Sequence, residues 1–260
     1  MNFCKNGVRS RLIVSVLTLA LFWVGEAGAH YPWIEMENYA PAAQSTPQFH
    51  IGWGHTFPSE NFLDADDLKD IFILSATGVK IAVSPVSATG FSSREGLADG
   101  TCLVAGQRKA SFYTKTVDGG KRQSKKGLDN VVKCSWSIMG MKGIVNVGAG
   151  KGAVDLVVGH PLEIIPLANP DRLKVGDTLP VRVLFKERPY RGEIIAVYYR
   201  VTEKKETPAA SFTTDADGQG SFRIASPGIW LLKVQHEVPF NRPEECDVES
   251  YVATLTFAVR

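Results

Sequence analysis

Five histidines and four cysteines are the side chains of this 260-residue chain best suited to holding a metal. His30 has the most informative position. It follows Ala27-Gly28-Ala29, which supplies small residues for a signal-peptidase site. Cleavage after Ala29 makes His30 the first residue of the processed chain. Its α-amine, with a reference pKa of only ~7.7–8.0, can then chelate an ion together with Nδ1. A second imidazole would complete a T-shaped set of three nitrogens suited to Cu(II) or Ni(II). Cleavage after Ala27 would instead expose Gly28-Ala29-His30. Its amine, two backbone amides and imidazole form a square-planar site for the same ions. Both outcomes generate a chelator.

The segment Phe49-His-Ile-Gly-Trp-Gly-His-Thr-Phe-Pro58 offers the second imidazole. His50 and His55 are separated by an odd spacing, so an uninterrupted strand would put them on opposite faces. Gly52 and Gly54 permit a bulge or bend. His55, at the strand end beside Pro58, is the expected ligand, and His50 a structural or outer residue. His160, in Gly-His-Pro, reads as a hydrogen-bonded surface or interface residue. His236 ends a strand next to Glu237 and is the candidate third ligand, closing the site from the second half of the chain.

The elements that would position these residues are strands. No amphipathic helix exceeds a few turns, and Asn61–Asp70 is the nearest candidate. Short alternating segments at 71–74, 80–83, 109–116, 131–138 and 144–147 follow one another with Gly-containing turns. Residues 150–153 form a plausible joint. Beyond it, strands at about 8–12-residue spacing suggest an immunoglobulin-like sandwich. The expectation is an all-β protein of two β-sandwich domains: a metal-binding domain over 30–155 and an immunoglobulin-like domain over 156–260. Thr214-Asp-Ala-Asp-Gly218 reads as a tight turn rather than a calcium loop, which would need a terminal bidentate Glu. Lys121-Arg-Gln-Ser-Lys-Lys126 reads as a solvated loop rather than an anion site.

Residues 1–29 read as a signal peptide, with Lys5, Arg9 and Arg11 before an apolar run from Leu12 to Val24. That run is short for a bilayer span, and no later one approaches 18 residues, so the processed protein is expected to be soluble and periplasmic. The 29 basic and 27 acidic residues give a net charge of +2. Removing Lys5, Arg9, Arg11 and Glu26 leaves 26 of each and no net charge; neither balance is that of a strongly basic nucleic-acid binder, and no nucleic-acid partner is expected. Cys102, Cys134 and Cys246 remain. One bridge and one free thiol is the simplest count, with Cys102–Cys134 and Cys134–Cys246 both open.

His30-Tyr-Pro-Trp33 and Gly52-Trp-Gly-His-Thr-Phe-Pro58 resemble a family of exported bacterial proteins described as NikK-like, a periplasmic component of nickel/cobalt uptake. Tyr113-Thr-Lys-Thr, 159–170, 214–218 and 227–236 also match its pattern. The resemblance covers nearly the whole processed chain. It implies a non-catalytic metal-binding accessory to a membrane transporter, with nickel or cobalt as its ion. By position it makes His30 and His55 ligands and His236 a third. Two other classes compete: a copper histidine-brace redox protein, which needs the same histidines, and a β-sandwich adhesion or carbohydrate-binding module with incidental ones. No Gly-x-Ser-x-Gly elbow, phosphate loop or Cys-x-x-Cys pair points to ordinary hydrolase or nucleotide chemistry.

Overall fold

A computed structural model describes residues 30–59 and 61–260; the signal-peptide expectation for 1–29 lies outside them. The described residues form seventeen strands and two short 3-10 turns. In the first half these are β1 (Tyr31–Met36), β2 (Gln48–Gly54), β3 (Leu68–Leu74), β4 (Lys80–Pro85), β5 (Gly90–Ser93), β6 (Gly100–Arg108), β7 (Ser111–Thr116), β8 (Gly119–Lys121) and β9 (Val131–Val147). The second half adds β10 (Leu162–Pro166), β11 (Thr178–Phe185), β12 (Arg188–Pro189), β13 (Glu193–Tyr199), β14 (Thr207–Thr213), β15 (Gln219–Arg223), β16 (Gly228–Pro239) and β17 (Val248–Val259). The all-β expectation holds. The helical candidate at 61–70 is only a 3-10 turn, Ala65–Asp67, running straight into β3. The segments 131–138 and 144–147 are one strand, because Gly140 and Gly143 continue the ladder without a turn.

A long sheet runs β1-β2-β5-β4-β3-β6-β9-β17-β16-β13-β14, with β7 and β8 attached to β9. A smaller one contains β10, β11, β12 and β15. The chain leaves the long sheet after Val147 and enters the smaller one at Leu162. The long sheet itself spans that break, because β9 pairs in parallel with β17 from Val248↔Ser135 to Thr256↔Gly143. The long sheet curls so that β1 lies back over β9 and β17. Thr254 Oγ1 and Thr256 Oγ1 donate to the Pro32 and Ile34 carbonyls, each at 2.8 Å. A Cβ on Gly143 would come within 2.8 Å of Ile34 Cγ2, so glycine is what lets β1 approach.

The central strands are apolar on both faces. One face of β9 sends Met141 and Val145 into a core inside the curl, with Trp33, Phe49, Ile51 and Leu231. The other face sends Ile144 into a second core under the small sheet, with Val181, Trp230, Leu232 and Phe257. The disulfide joins Cys134 to Cys246 across a sequence separation of 112 and leaves Cys102 buried and free, which resolves the pairing. On a chain-entropy account a loop of that size stabilises by ~4–5 kcal/mol.

At the junction of the two sheets lies a buried ion pair. Lys142 and Glu163 are each 1% exposed, and Lys142 Nζ donates to Glu163 Oε1 at 2.8 Å. The Val158 and Gly159 amides also donate to that carboxylate, at 2.9 and 3.1 Å. Beside it, His160 packs over Gly140, where a Cβ would come within 2.7 Å of Nδ1. His160 is buried rather than on the surface, and its Nε2 has no hydrogen-bond partner. Burial drives the His160 pKa down to about 4, against the opposing pull of Glu163; Lys142, Asp70 and Lys69 also act on it.

Two outcomes follow from this junction. Glu163→Gln strands the Lys142 ammonium in the core and should cost about 3–5 kcal/mol in denaturant unfolding, while a paired Lys142→Met, Glu163→Leu variant should recover most of it. A single-variant loss below about 1 kcal/mol would contradict the burial. The second outcome concerns pH. Above 6.5 the folded and unfolded chains both hold His160 neutral. As pH falls towards 4, the unfolded chain takes up a proton that the folded chain refuses. Stability therefore declines across that window, by up to about 3 kcal/mol from this residue. His160→Gln should flatten that part of the profile; an unchanged acid decline would contradict it.

Candidate metal site

The site is built on the β1–β2 hairpin. The register pairs Tyr31 with Gly54, Trp33 with Gly52 and Glu35 with His50, with no slip along the ladder. Continuing it by one residue sets His30 opposite His55. Their ring centroids lie 4.0 Å apart with planes tilted by 52°. Directly opposed residues share a face, so both imidazoles are exposed on the side of the hairpin that also carries Trp53. The His30 ring stacks on the Trp53 indole at 5.5 Å and 24°.

The glycines serve a different end from the expected bend. β2 is regular through Gly52, and a Cβ there would come within 2.3 Å of Trp33 Nε1. Gly52 is therefore the space that the Trp33 indole occupies. With no bulge, the odd spacing acts as strand geometry dictates and puts His50 and His55 on opposite faces. His50 Nδ1 bonds the Thr89 carbonyl at 3.0 Å, its ring packs on Phe62, and Glu37 lies 3.9 Å from Nε2. His50 is thus held by its neighbours, in line with a structural residue.

His55 sits one residue past the strand end in a loop pinned on several sides. Tyr31 Oη donates to its carbonyl at 3.5 Å, and the Phe57 amide donates to Glu206 Oε2 at 2.6 Å. Phe57 is fully buried between Trp33 and Tyr199. Ser59 Oγ donates to the Trp53 carbonyl at 2.8 Å, and the Trp53 amide donates back to the Asn61 carbonyl at 2.9 Å. The Phe57–Pro58 peptide is cis. Burial, with the nearby Glu206 carboxylate, pushes the Tyr31 hydroxyl up to about 12, so it stays a donor at neutral pH.

His236 is not brought to this pair. On β16, Trp230, Leu232 and Val234 point into the second core, and His236 continues that side. Its Nδ1 shares a 2.8 Å hydrogen bond with the Tyr190 hydroxyl, and its ring meets Phe185 edge-on at 4.5 Å. Lys233, on the other side of β16, lies over the Tyr31 ring at 4.5 Å. The sheet therefore stands between His236 and the hairpin histidines. Among the described residues, no three His, Cys, Asp or Glu side chains are grouped to hold an ion. The two imidazoles are the nitrogen donors that the hairpin brings together.

Three residues at the site escape sequence reasoning. Trp53 is only partly buried and supports His30. Arg108, at the end of β6, places its guanidinium over the Trp53 ring at 5.0 Å and donates from Nη1 to Ser111 Oγ at 2.8 Å. Arg122 belongs to the basic loop that reads as solvated. Burial holds the His30 imidazole below its ordinary value, with His55 and Arg122 acting in the same direction. Burial also lowers Arg108, with Asp67 opposing and Arg122 reinforcing the shift.

No curated protein matches this chain. Solved structures resemble it only distantly. A DUF4785 family protein from Legionella pneumophila subsp. pneumophila str. Philadelphia 1 is 10% identical over 78% of this chain, with a TM-score of 0.23; the match spans 50% of that protein. The two tandem V-type regions of VCBP3, a chitin-binding protein, are 8% identical over 87% of this chain and 99% of theirs, with a TM-score of 0.22. Dimeric latent PorU from Porphyromonas gingivalis is 12% identical over 88% of this chain and 20% of its own, with a TM-score of 0.21. Likenesses this weak carry no argument about function. The family model described as a domain of unknown function, DUF4198, matches residues 27–238, and the chain belongs to that family.

Proposed function

We propose that this protein is an exported, NikK-like binder of a divalent transition metal, nickel or cobalt, that serves a membrane uptake transporter and catalyses no reaction itself. The observation that carries the proposal is the opposition of His30 and His55 across the hairpin end, with ring centroids 4.0 Å apart. Cleavage after Ala29 would add the His30 α-amine to these imidazoles and give the three-nitrogen set. A pinned loop and a long hairpin hold the pair in place, which suits a site that must recognise an ion rather than wrap around it. The Cys134–Cys246 bridge accords with an oxidising, periplasmic location.

In the same reading, residues 30–155 are the metal-binding half and residues 156–260 an immunoglobulin-like sandwich. The small sheet, made of β10, β11, β12 and β15 alone, supports that division. The transporter is the partner of the loaded form. Cu(II) would bind the same nitrogens more tightly in vitro, so the physiological ion is decided by supply and delivery rather than by affinity.

Calorimetry on protein processed to begin at His30 tests the site. Near-stoichiometric Ni(II) or Co(II) binding is expected. His55→Ala should weaken it by at least about tenfold, His50→Ala should leave it nearly unchanged, and one extra residue before His30 should weaken it as His55→Ala does. Equal affinities across all four proteins would overturn the proposal.

A further inference from the structure

Basic charge is concentrated in one limb of the fold. Residues 108–133 carry eight basic side chains and two acidic ones, a charge of +6. Of the 26 basic and 26 acidic residues in 30–260, that leaves eighteen and twenty-four elsewhere, a charge of −6. The segment runs from the end of β6 through β7 and β8 into β9, and β7 and β8 form a branch off the path of the long sheet. Among the described residues, only Lys125 and Lys133 of the eight form ion pairs, with Asp247 and Glu237. Lys109, Lys115, Lys121, Arg122 and Lys126 are exposed and have no such partner. The loop at 121–126, which reads as solvated, is held in place. Thr114 Oγ1 donates to the Gln123 carbonyl at 2.7 Å, and the Lys125 amide donates to the Glu245 carbonyl at 2.9 Å. Asp247 accepts from both Lys125 Nζ and the Cys134 amide, beside the Cys134–Cys246 bridge. The charges are thus displayed at fixed positions, and most of their mutual repulsion is not relieved within the chain. Tyr113, Val117 and Val132 are exposed on the same limb.

We infer that this limb docks on an anionic bilayer, its cations meeting lipid phosphates and its exposed valines the headgroup layer. Six of the eight cations are Lys, which favours lipid over an acidic protein face. A lysine ammonium is a hydrated point charge that suits a diffuse field of phosphates, whereas protein interfaces are depleted in Lys and use the Arg fork. The inference goes beyond the metal reading and does not depend on it; it adds a place where the protein would act.

Co-sedimentation with vesicles tests this on protein processed to begin at His30. Binding should be at least about tenfold stronger on equal parts of phosphatidylglycerol and phosphatidylcholine than on phosphatidylcholine alone, and should fall as salt is raised. Lys115→Glu, Lys121→Glu and Lys126→Glu combined should weaken it by at least about tenfold, at exposed positions with no ion pair to lose. Lys174→Glu, Lys204→Glu and Lys205→Glu combined make the same change in net charge at exposed positions outside the limb, and should leave binding near the native level. Equal binding by the two triple variants, lowered or not, would overturn the inference. No preference for the anionic vesicles would also overturn it, and would turn the limb towards an acidic protein face instead.

Discussion

The register of β1 on β2 is the constraint on which the candidate site depends. It sets His30 opposite His55, and a slip of one residue would turn one histidine to the other face. Three contacts hold that register. The Trp33 indole fills the space above Gly52, where any side chain would collide with it. Thr254 and Thr256 tie the β1 carbonyls to β17. Ile34 seats against Gly143 of β9. The hairpin is therefore locked to the two strands at the centre of the long sheet, and the histidines stand at the end of a rigid element.

Those two central strands bind the halves of the molecule together. β9 comes from the first half and β17 from the last, and their parallel pairing lets one sheet serve two cores. The cost of packing both faces shows at the junction, where Lys142 and Glu163 are buried as a pair. Such a pair adds little net stability but specifies an arrangement, because a displaced partner leaves a charge unsatisfied. The same strand parity separates the histidines. It puts Lys233 on the Tyr31 side of β16 and His236 on the side of Tyr190 and Phe185.

Much of this was legible from residue order. Alternation gave the strands, and the odd spacing of His50 and His55 gave their opposite faces. The position of His55 beside Pro58 placed it at a strand end. The register was not legible, because residues 37–47 between β1 and β2 are too long to fix it as a tight turn would. The parallel pairing of β9 with β17 joins residues more than a hundred positions apart, and no local pattern encodes it. His236 was misplaced for the same reason: its strand was evident, but the face it would turn to the site was not.

The proposed metal site needs the His30 and His55 imidazoles on one ion. X-ray absorption spectroscopy on the nickel-loaded protein, processed to begin at His30, measures this most directly. Imidazole scattering should correspond to two histidines per nickel in the native protein and fall to one in His55→Ala. A single imidazole in the native protein, or a spectrum that His55→Ala leaves unchanged, would contradict it.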